Sequence, residues 1–120
     1  MKRIALASLV VAVVAAVAML TTAQAATPVL KGEVGPGFTI EVKKAGKKVK
    51  MLKAGKYTIK VEDKASIHNF HLIGRGVNKL TSAEFVGKKT WTVTLKPGKY
   101  TYQCDPHAAN GMKGTFKVTK

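Results

Sequence analysis

The sequence predicts an all-β domain, an antiparallel sandwich or barrel with Greek-key connections, on two observations. Beyond residue 26 the chain breaks every six to twelve residues at glycine, proline or asparagine, as at Gly35-Pro36-Gly37, Ala45-Gly46, Ala54-Gly55, Gly74-Arg75-Gly76 and Lys96-Pro97-Gly98. Between the breaks, β-branched and aromatic residues alternate with polar ones, the period-two pattern of strands with one buried face. Short strands at this spacing in about 95 residues suit a sandwich or barrel and leave room for one core only.

Taken in order, the chain first shows Met1-Lys2-Arg3, an apolar run from Ile4 to Leu20 broken only by Ser8, and then Ala23-Gln24-Ala25. A charged start, an apolar stretch and an A-x-A site mark residues 1–25 as an export signal, cleaved near Ala25 or Ala26. The run falls short of the roughly 20 residues that span a bilayer comfortably, although an uncleaved anchor is the competing reading. Residues 26–120 are then one exported domain, periplasmic or secreted, with no stable membrane insertion after cleavage.

Strands are expected at Phe38-Thr39-Ile40-Glu41-Val42, Tyr57-Thr58-Ile59-Lys60-Val61, Trp91-Thr92-Val93-Thr94-Leu95 and Phe116-Lys117-Val118. A further strand is expected to carry Ile67-His68-Asn69-Phe70. Residues 77–87 are less regular, and Thr81 would cap a single helical turn or an irregular crossing there.

The chain has one cysteine, Cys104. In an oxidising compartment it has no partner within its own chain, so a metal or burial must protect it. Its surroundings favour the metal. Cys104-Asp105-Pro106-His107-Ala108-Ala109-Asn110-Gly111-Met112 places a thiolate, an imidazole and a thioether on one short loop, and His68 lies upstream. A thiolate and two imidazoles suit both Cu(II) and Cu(I), while a thioether is a weak axial ligand. Pro106 stiffens the loop, and Gly111 lets the backbone turn before Met112. Zinc has no use for a thioether, and its structural sites usually recruit more cysteines.

The segment from Tyr57 to Lys120 resembles a cupredoxin, a type 1 (blue) copper protein, with the C-x2-H-x4-M spacing of plastocyanin and pseudoazurin. His68-Asn69 matches the family's histidine-asparagine pair, and Gly98-Lys99-Tyr100-Thr101-Tyr102 matches its aromatic approach to the cysteine. The resemblance implies a Greek-key sandwich of about eight strands and one type 1 copper per chain, held by His68, Cys104, His107 and Met112. It further implies that Asn69 ties down the cysteine loop and that His107 is the electron's exit, with Ala108 and Ala109 around it. The plant plastocyanin pattern has tyrosine just before the cysteine and acidic residues nearby. Gln103 and a basic chain stand here instead, so a bacterial exported cupredoxin is the nearer likeness.

His71 stands three residues after His68. On a regular strand the two point to opposite faces, which leaves His71 a hydrogen-bonded strand residue unless a bulge breaks the alternation. Gly74-Arg75-Gly76 lacks the further glycine and opening helix of a phosphate loop and reads as a turn.

Beyond residue 25 the chain carries eighteen lysines and one arginine against six acids, a formal charge of +13. Such a field attracts anionic partners, and an acidic oxidase, reductase or cytochrome is the expected class. Lysine's dominance over arginine and the scarcity of free aromatics argue against specific nucleic-acid readout. Solvated lysines that keep sheet edges apart account for many of these charges. The expected role is that of a monomeric single-electron carrier and not an enzyme. Copper storage, delivery or protection, and a metal-free exported interaction domain, remain the alternatives.

Overall fold

The computed structural model describes residues 11–16 and 26–120; residues 11–16 form neither helix nor strand. The export signal and its cleavage site otherwise fall outside the described residues. Among the described residues no helix is long and apolar enough to cross a membrane.

Among the described residues ten strands form two five-stranded sheets. In chain order they are β1 (Val29–Val34), β2 (Ile40–Lys44), β3 (Lys47–Lys48), β4 (Met51–Lys53), β5 (Gly55–Asp63), β6 (His71–Gly74), β7 (Val77–Leu80), β8 (Gly87–Leu95), β9 (Gly98–Gln103) and β10 (Lys113–Thr119). One sheet runs β3-β2-β1-β5-β8 and the other β4-β10-β9-β6-β7. The sandwich is therefore as expected, with two strands more than about eight. The extra pieces, β3 and β4, flank buried Val49, where the chain leaves one sheet for the other.

The sheets are mixed and not purely antiparallel. β1 pairs with β5 in parallel, and β10 with β4. The crossing at Val49 is the cause: it carries the chain through the second sheet before β5 returns beside β1, so the two run the same way.

Alternation builds the core. In β5, Tyr57, Ile59, Val61 and Asp63 are buried, and Leu30 and Val34 of β1 are fully so. Phe70, Tyr100, Tyr102 and Phe116 stack through the interior, with ring centroids 5.4 to 6.3 Å apart. Aromatic stacking adds about 0.5–1.5 kcal/mol per pair to the burial itself.

Two local expectations are corrected. The strand expected from Phe38 begins at Ile40, because a backbone bond of 2.9 Å from Gly35 N–H to the Thr39 carbonyl closes a loop over 35–39. Phe38 sits on that loop, 65% exposed. Thr81 caps no helix: it is fully buried, and its Oγ1 accepts the Phe70 N–H at 2.9 Å, while residues 82–85 make only a turn.

Candidate metal centre

Strand parity delivers the sulfur atoms to one end of the sandwich. Tyr100 and Tyr102 point inward from β9, and two residues on Cys104 does the same, with no exposure. Val118 and Phe116 point inward from β10, and counting back by twos reaches Met112, 2% exposed. Lys113 pairs with Gln103, so Cys104 and Met112 are the feet of one loop, joined by the Cys104 N–H donating to the Met112 carbonyl at 3.0 Å.

Between these feet, Asp105–Asn110 form a short 3-10 helix with Cys104 as its N-cap residue and Pro106 in its first turn. Proline suits that position because no helical hydrogen bond needs its missing N–H. Gly111 ends the helix at φ 93°, a left-handed conformation that favours glycine. The Met112 N–H then returns to the His107 carbonyl at 3.2 Å.

His68 does not lie on a regular strand as expected. It belongs to the connection between β5 and β6, where its N–H reaches the Ala65 carbonyl at 3.3 Å. The alternation survives nonetheless: His68, Phe70 and Leu72 are buried inward, while His71 turns outward.

Three donor atoms converge. His68 Nδ1 and His107 Nδ1 are 3.1 Å apart, and Cys104 Sγ lies 3.7 Å from the first and 3.4 Å from the second. A point equidistant from all three lies about 2.0 Å from each, which is a metal-to-nitrogen bond length. One shared proton can satisfy one pair of these atoms, whereas a cation can satisfy all three. Among the described residues this is the one cluster of three or more histidine, cysteine or carboxylate side chains arranged for a metal. The donor set, one soft sulfur and two imidazoles, fits copper.

Around this triangle the polar contacts are dense. The Asn69 side chain both accepts the Asp105 N–H at 2.7 Å and donates to Asp105 Oδ2 at 2.9 Å and to the Thr81 carbonyl at 3.2 Å. Asp105 also accepts from Gln103 Nε2 at 2.8 Å and faces His71 Nδ1 at 2.9 Å. Burial alone would push the Asp105 carboxyl up, but the bonds from Gln103, Asn69 and His71 outweigh it and hold it below its ordinary value. His71 is thus engaged by Asp105 and, at 2.6 Å, by Asn78 Oδ1, away from the triangle. Asp63 behaves oppositely: burial pushes its carboxyl up, against the Ala65 N–H and the charge of His68.

Sequence reasoning missed two residues here. Phe38 places its ring edge-on to His107 and His68, with centroids 4.9 and 5.5 Å away. Asp105 gathers the hydrogen bonds of Asn69, Gln103 and His71. A solvent-facing phenylalanine after Gly-Pro-Gly and an acid directly after Cys104 were the available signals.

Residues 38–119 match the family model described as copper binding proteins, plastocyanin/azurin family. The chain belongs to that family. Its fold is also that of solved structures of the copper protein rusticyanin. A structure at 2.1 Å superposes with a TM-score of 0.62 at 22% identity, covering 80% of each chain. The reduced form gives 0.58 at 23% identity over 81% of this chain and 82% of that one. Rusticyanin from Thiobacillus ferrooxidans gives 0.52 at 24% identity over 80% and 79%. Family membership and the donor cluster together make copper the cofactor, with a single type 1 site.

Proposed function

We propose that this protein is an exported single-electron carrier whose copper would be held by His68 Nδ1, Cys104 Sγ and His107 Nδ1, with the Met112 thioether as a weak fourth ligand. The observation that carries the reading is the 3.1 to 3.7 Å triangle of two imidazole nitrogens and one thiol sulfur. Bound copper supplies the one-electron Cu(II)/Cu(I) couple. The chain's own residues supply fixity. Cys104 directly follows β9 and Met112 directly precedes β10, Asn69 and Asp105 lock the intervening loop, and Phe38 packs edge-on to both rings. A site held in this way changes little when its charge changes.

His107 is only partly buried, and Ala108, Ala109 and Phe38 surround its edge with small or apolar surface. That edge is where an oxidase, reductase or cytochrome would meet the protein. Lys113, exposed beside Met112, lends it positive charge for an acidic partner. In this reading residues 1–25 are removed near Ala25 or Ala26 and the domain works in the periplasm or outside the cell, as a carrier with no substrate chemistry of its own.

Adding Cu(II) to the purified protein should produce an intense visible thiolate-to-copper band at one ion per chain, absent in Cys104→Ser. A protein that stays colourless with its thiol reduced would overturn the reading. Slow electron exchange beside ready copper transfer to an acceptor would favour delivery instead. Met112→Gln should keep the band and lower the reduction potential, because a harder oxygen favours Cu(II); an unchanged potential would remove Met112 from the site.

A further inference from the structure

Between Glu41 and Glu62 the chain carries eight lysines and no acid. Strand register collects most of them at one pole. Lys44 pairs with Lys47, Leu52 with Val118, Val118 with Gly98, and Gly55 with Leu95, so the turns that join these strands lie side by side. Lys44, Lys47, Lys48, Lys50, Lys53 and Lys56 line one groove. Lys99 and Lys117 share a second groove with Lys48 and Lys50. All of these are exposed.

This pole is not the metal end. Lys113, next to the metal loop, and Val118, at the pole, are separated by most of β10, a rise of about 17 Å. Nor is its charge neutralised. Among the described residues the ion pairs involve Lys31, Lys43, Lys64 and His71, and none of the lysines that line the two grooves. Met51 stands among them with 63% of its surface exposed, and Val29 nearby with 45%.

Two observations select the partner. Lysine is depleted at protein–protein interfaces, whereas it suits the diffuse phosphate charge of a lipid surface, where each lysine contributes about 1 kcal/mol. The second is apolar: Met51 and Val29 stand exposed among these lysines, where lipid headgroups can take them, and no acid lies between Glu41 and Glu62. We infer that the lysine pole docks peripherally on an anionic lipid surface, with Met51 among the headgroups and the metal end facing away. The inference is independent of the electron-carrier reading.

Flotation of the mature chain, residues 26–120, with vesicles tests it. Phosphatidylcholine vesicles containing phosphatidylglycerol should bind more protein than phosphatidylcholine alone, and added salt should abolish the difference. The readout is the ratio of anionic to neutral binding. Combining Lys47→Gln, Lys48→Gln, Lys50→Gln and Lys53→Gln should cut that ratio at least about tenfold. Combining Lys60→Gln, Lys79→Gln, Lys88→Gln and Lys89→Gln, with the same change in net charge, should leave it within about twofold, both variants keeping the wild-type circular dichroism. Equal losses in the two variants would reduce the effect to net charge and overturn the inference. Capture by polyglutamate without any preference for anionic vesicles would assign the pole to an acidic protein and overturn it too.

Discussion

Asp105 is the residue on which the metal loop hangs, since it takes hydrogen bonds from Asn69 and Gln103 and faces His71 while its own N–H holds Asn69. Its carboxyl lies below the ordinary value, so its contribution to stability is present above the unfolded-state pKa and is lost as the pH falls through the lower folded-state value. Asp105→Asn, which keeps the size but removes one acceptor oxygen and the charge, should cost about 1 kcal/mol at neutral pH. The gap between variant and wild type should close in acid, as followed by thermal unfolding across a pH series; a gap independent of pH would show that charge has no part in it. The residues of this loop were legible in the sequence because their chemistry is local. Cys104 and His107 announce themselves by type and spacing. Asp105 did not, because its importance comes from Asn69 and His71, which only folding brings beside it.

At the scale of the element, the pairing of β9 with β10 places Gly114 opposite Tyr102, whose ring occupies the space where a Cβ would stand. Gly114→Ala should therefore overpack the core and destabilise the protein by about 1–3 kcal/mol, measured by denaturant unfolding. An unchanged midpoint would mean that the ring has freedom to move aside. Alternation made β5, β8 and β10 readable, because one buried face imprints period two on the sequence. The same rule misplaced Phe38, where the Gly35-to-Thr39 backbone bond wins over the strand preference of an aromatic residue. The parallel pairs were illegible for a different reason. β1 meets β5 only after the chain has visited the other sheet, and no local pattern encodes a partner so far along the chain.

For the whole molecule, net charge was plain from composition, but its arrangement was not. Lys99 and Lys117 are remote in sequence from Lys48 and Lys50 and come beside them only through the register of the strands. The result is a body with cationic turns at one extremity and, at the other, the paired imidazoles beneath Phe38. Such a body has a preferred way to stand on a conductor. A carboxylate-coated electrode should adsorb it by the lysines and hold the redox centre a strand's length from the metal surface, where tunnelling is slow. A methyl-terminated coating of equal thickness should take it by Phe38 and turn the centre inward. Cyclic voltammetry should then show faster exchange on the uncharged film, although the charged one binds the protein more tightly.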